Sequence, residues 1–67
     1  MSANTRYFKH RDGFANENIL LIESDGTNCR CLCKVGDPLP CHLTTEDCDL
    51  FVSTGDLTET DSEGTPL

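Results

Sequence analysis

Five cysteines and two histidines are the groups in this chain best suited to metal, redox or nucleophilic chemistry. Cys29, Cys31 and Cys33 alternate along one segment, and Cys41, His42 and Cys48 follow. Three chemistries compete for the thiols. Disulfides would staple a small chain, but five is odd and adjacent same-face strand positions lie near the upper limit for a bridge; Cys41 or Cys48 could reach across. Zinc would find enough soft ligands among Cys29, Cys31, Cys33, Cys41 and Cys48, with His42 in reserve. A Cys-x-x-Cys knuckle to orient two thiolates is missing, however. Free cysteine also packs as a small hydrophobe and is among the most often buried residue types, and this third reading is favoured. Cys41 and His42 are neighbours in an extended segment, so they point apart and do not make a nucleophile and its base. His10 reads as a half-exposed strand residue. No phosphate-binding loop, nucleophile elbow, zinc-protease helix or dinucleotide fingerprint is present, and neither Asp25-Gly26 nor Asp37-Pro38 has the spaced acids of a calcium loop. No catalytic residue and no cofactor is expected.

The second chemical feature is charge. Twelve Asp and Glu face five Lys and Arg, for a formal charge of −7. All five cations (Arg6, Lys9, Arg11, Arg30, Lys34) fall in the first 35 residues, whereas residues 36–67 carry eight acids and no Lys or Arg. Overall attraction to DNA, RNA or an anionic membrane is excluded, because those surfaces demand positive charge. A basic groove on another protein is the complementary partner, and the acids offered to it are Asp37, Glu46, Asp47, Asp49, Asp56, Glu59 and Asp61. Glu46 and Asp47 are also explained by helix capping; Asp49, Asp56 and Glu59 are not.

These groups must be positioned by a single small domain. The chain has 67 residues, of which 36% are apolar, and no apolar run long enough to span a bilayer. A signal-peptide stretch is not visible behind Met1-Ser2-Ala3-Asn4-Thr5-Arg6, so a cytoplasmic, monomeric protein of a host cell is expected. Residues 5–10 read as a strand and Ile19–Glu23 as a second, β-branched one. Asp25-Gly26 predicts a two-residue hairpin turn with both φ angles positive. Residues 28–35 alternate, with Cys29, Cys31, Cys33 and Val35 inward and Arg30, Leu32 and Lys34 outward. Pro38 and Pro40 break the pattern. Thr44 and Asp47 outline a capping box for a helix over about 45–54, staged by Leu43 and Cys48 and stopped by Gly55; Cys48, Phe51 and Val52 form its apolar stripe. Leu57–Thr60 is a candidate last strand, and 61–67 reads as a disordered acidic tail beyond a domain of residues 1–60. The expected fold is α+β: a small antiparallel sheet of three to four strands with one short helix packed on one face.

The segment Arg6-Tyr7-Phe8-Lys9-His10-Arg11-Asp12-Gly13, the Ser24-Asp25-Gly26 turn, Leu43-Thr44-Thr45-Glu46-Asp47-Cys48 and Ser53-Thr54-Gly55 together resemble the small proteins of phages and mobile elements. In size, acidity and lack of catalytic motifs the chain is similar to anti-CRISPR proteins, several of which mimic DNA. That resemblance implies an inhibitor that occupies the DNA-binding surface of an effector complex of Cascade type, through protein contact and without binding nucleic acid itself. It carries no family residue onto this sequence.

Overall fold

A computed structural model describes residues 5–67; Met1–Asn4, part of the segment read for a leader, lie outside them. The strands are β1 (Arg6–His10), β2 (Ile19–Ser24), β3 (Asn28–Cys33), β4 (Leu39–Thr44) and β5 (Leu57–Thr60), with one helix, α1 (Thr45–Thr54), between β4 and β5. They form one antiparallel sheet in the order β4-β3-β2-β1-β5, so the α+β architecture stands with five strands in place of three to four.

The extra strand is β4, hidden in the sequence by Pro38 just before it and Pro40 within it. Proline lacks an N–H and is tolerated where one side of a strand pairs with nothing, and β4 is a sheet edge. Pro40 lies opposite Arg30 and Leu39 opposite Cys31, with a register shift before Thr44 meets Asn28. The chain then runs straight into α1. Thr44 accepts a hydrogen bond from the Asp47 N–H at 3.2 Å, and the Asp47 carboxylate accepts one from the Thr44 N–H at 3.0 Å. This is the capping box foreseen from the spacing, with Asp doing the work of the usual Glu. Gly55 ends the helix at φ 89°, a left-handed conformation that glycine adopts without a Cβ clash.

α1 runs diagonally over one face of the sheet, from the β4 edge to the β5 edge, because β5 begins beside His10 at the opposite end from Thr44. Between helix and sheet, Phe8, Ile22, Cys48 and Leu57 form the buried core, flanked by Phe14, Cys29, Cys41, Leu43, Phe51 and Val52. Leu43 and Cys48, the expected hydrophobic staple, thus share this core, as does the predicted stripe of Cys48, Phe51 and Val52.

Three local readings change. The β2–β3 turn has a positive φ only at Gly26 (104°), not also at its neighbours. The Asp25 N–H donates to the Asn28 carbonyl across the turn (3.1 Å), and the Asp25 carboxylate reinforces it by accepting from the N–H groups of Thr27 (2.9 Å) and Asn28 (2.8 Å). Val35 is 78% exposed instead of inward. β3 ends at Cys33, and beyond it the Asn18 side chain holds the Val35 backbone, accepting from its N–H (3.1 Å) and donating to its carbonyl (2.9 Å). Residues 61–67, read from their composition as a disordered tail, have a definite path. They turn at Asp61, whose carboxylate accepts from the N–H groups of Glu63 and Thr65, and return to bridge Thr60 with Pro66. The return lays Gly64 over Leu21 on the face away from α1, where a Cβ on Gly64 would stand 3.4 Å from the leucine.

Replacing Thr44 by Ala removes one half of the capping box without emptying the core. It should lower the stability measured by urea unfolding by about 1 kcal/mol; an unchanged midpoint would show that the box contributes nothing to holding α1.

Candidate functional site

The antiparallel register sorts the charges to two ends of the sheet. At the end that holds the β2–β3 turn, β1 begins, β4 hands over to α1, and β5 exits. Glu23, Asp25, Glu46, Asp47, Asp49, Glu59 and Asp61 gather there, against the cations Arg6 and Arg30. Of the acids proposed from the sequence, Asp37 and Asp56 lie at the other end, near Arg11 and Lys34. Five of the seven are therefore brought together and two are not.

Arg6 is the organising group of the acidic end, and nothing in the spacing of the sequence marked it. Its guanidinium lies 5.0 Å over the Phe8 ring, so its apolar flank covers the core while its nitrogens face outward. Nε and Nη2 donate to the two oxygens of Glu59 at 3.1 and 2.8 Å, and Nη2 and Nη1 donate to Asp49 at 2.7 and 3.4 Å. One cation thus clamps two carboxylates, one from α1 and one from β5. Its hydrogen bonds hold Asp49 and Glu59 below the usual carboxylate range, and theirs to it raise Arg6 further above neutrality. The triad keeps a net charge of −1 and a fixed spacing.

The other acids have local roles that also fix their direction. Asp47 closes the capping box, and Asp61 and Asp25 each bind two backbone N–H groups. Those N–H bonds, Thr27 first and then Asn28, depress the Asp25 carboxyl. Glu23 pairs with Arg30 at 2.6 Å. Glu46 stands exposed in the first turn of α1. At the far end Asp56 accepts from the Thr54 hydroxyl at 2.8 Å and faces Arg11 at 3.9 Å.

The five thiols are all free. Cys31 and Cys48 are buried and Cys29, Cys33 and Cys41 half-buried. Burial pushes the Cys31 thiol up to about 11 and Cys48 to about 12, with neighbouring thiols adding to both, so each stays protonated at neutral pH. Among the described residues, no three Cys, His, Asp or Glu side chains converge in a metal-holding arrangement. His10 is engaged locally: its Nδ1 accepts the Asp12 N–H at 3.1 Å, and its ring lies 6.1 Å from that of Phe14. No helix among the described residues is long and apolar enough to cross a membrane.

No protein-family model, curated protein or solved structure matches this chain.

The clamp makes a signed prediction about pH. Carboxyls whose folded pKa lies below the unfolded value contribute stability that is present above the unfolded pKa, about 4. That contribution is lost as pH falls through their lower folded values. The parent should therefore lose stability on acidification through this range. Arg6→Gln, which leaves Asp49 and Glu59 facing each other without a cation, should show a flatter or inverted dependence in unfolding midpoints taken from pH 6 downward. An identical slope in both proteins would remove the clamp from the account.

Proposed function

We propose that this protein is a small acidic binding module that docks its carboxylate-rich end into a basic, nucleic-acid-binding groove of a partner protein and so excludes the nucleic acid. The observation that carries the reading is the convergence of seven carboxylates from the β2–β3 turn, α1 and β5 on one end of the sheet, against two arginines. Clamped and capped side chains lose little freedom on docking, so a preorganised acidic surface binds at lower entropic cost than a mobile acidic tail. Electrostatic complementarity of this kind acts chiefly on association rate, and salt screens it.

The resemblance to anti-CRISPR proteins directs the proposal to a Cascade-type effector complex in the cytoplasm of a host cell, with this chain as a monomeric, non-enzymatic inhibitor. Phosphates along one DNA strand repeat every ~3.4 Å of axis, and a single strand face offers carboxylates at only about half that density. Acids from turn, helix and strand together meet that requirement better than any one row. Asp37 and Asp56 have no part in the docking end.

The test is competition with duplex DNA for a purified effector complex, at low and high salt. Glu46→Lys reverses an exposed charge at the docking end. It should slow association by a factor of roughly 3 to 10 and flatten the salt dependence, with thermal unfolding close to the parent's. Asp37→Lys, at the far end, should change little. Equal effects from the two variants, or none from either, would sink the reading.

A further inference from the structure

We propose that Cys29 and Cys48 are a reversible disulfide pair that locks the first turn of α1 to β3. The two sulfurs stand 3.8 Å apart, one at the second residue of β3 and the other at the fourth residue of the helix. A disulfide needs about 2.05 Å, so closure takes a sulfur approach of a little under 2 Å. The elements involved already touch: the Ser24 and Thr45 hydroxyls are hydrogen-bonded at 2.6 Å beside the pair.

The two thiols differ in access, which sets the order of events. Cys29 is half-buried near the start of β3, on the sheet face that α1 covers. Cys48 is wholly buried, and its burial keeps it protonated. A low-molecular-weight disulfide is the co-reactant. The Cys29 thiolate attacks one of its sulfurs, forming a mixed disulfide and releasing one small thiol. Cys48 then gives up its proton to solvent and attacks the Cys29 sulfur, releasing the second small thiol. Two protein thiols are oxidised and one small disulfide is reduced to two thiols. Cystamine, a small symmetrical disulfide, serves as the probe. The lock closes a loop of 20 residues across β3, β4 and the start of α1, which restricts the unfolded chain far more than the folded one. This inference rests on sulfur geometry and is independent of the proposed partner.

The experiment incubates the folded, full chain with cystamine, then counts thiols after denaturation and maps linked peptides by mass spectrometry. The expected product has lost about two mass units by formation of one bond, retains three of its five thiols, and carries the link between Cys29 and Cys48. Its thermal midpoint should rise by about 10 °C or more and return to the starting value with a reducing agent. Cys29→Ser, a change at a half-buried position, should keep its fold and show no such rise. Five remaining thiols, a cystamine adduct that stays on Cys29, a link between other cysteines, or a zinc ion held by the thiols in native mass spectrometry would each overturn the pairing.

Discussion

A single guanidinium holds the acidic end of this molecule together. Arg6 begins β1, rests on the Phe8 ring and bonds Asp49 of α1 and Glu59 of β5 at once. Without a cation between them those two carboxylates would repel each other across the packed faces of helix and strand. With it, the helix can descend over the β1–β5 side of the sheet while keeping its acids at one end. Bidentate contacts of this kind suit arginine, whose planar fork matches carboxylate geometry in a way a lysine ammonium does not. The clamp is partly exposed, so its weight lies in orientation more than in net stability.

Around the clamp, a small core is stretched to cover both faces of a five-stranded sheet. α1 covers one face with Cys48, Phe51 and Val52, and the returning C-terminal segment shields Leu21 on the other. Cys48 of α1 meets Cys29 of β3 with their sulfurs 3.8 Å apart, and Cys41 flanks the same core, so thiols serve here as small apolar groups between helix and sheet. Carboxylates meanwhile take over the backbone's unsatisfied N–H groups at the β2–β3 turn, the helix start and the last turn. Local structure and surface charge are thus made by the same residues.

What could be read from the sequence was whatever is decided within a few residues. The Thr44/Asp47 box, the Gly55 stop, β1, β2 and the inward Cys29 and Cys31 all follow from local spacing, and all are present. β4 was hidden because the rule against prolines in strands fails at a sheet edge. The inward placement of Val35 failed because Asn18, 17 residues upstream, captures its backbone and ends the alternation. The Asp25-Gly26 turn is present, and the Asp25 carboxylate reinforces its backbone bond by accepting from the Asn28 N–H. Arg6 was invisible as an organiser because its partners lie 43 and 53 residues away, where no spacing rule reaches. The proposed acids divided along the same line. Those near the helix start and the β5 exit converge, whereas Asp37 and Asp56 follow strand direction to the far end.

The central claim is that folding concentrates negative charge at the end of the sheet bearing the β2–β3 turn. Paramagnetic relaxation of backbone amides by a small cationic nitroxide, compared with an anionic one of the same size, reads that charge directly. The account predicts excess relaxation by the cation around Gly26, Glu46 and Asp61, well above that around Gly36 and Gly55. Equal enhancement at the two ends, or the larger effect around Gly36 and Gly55, would contradict it.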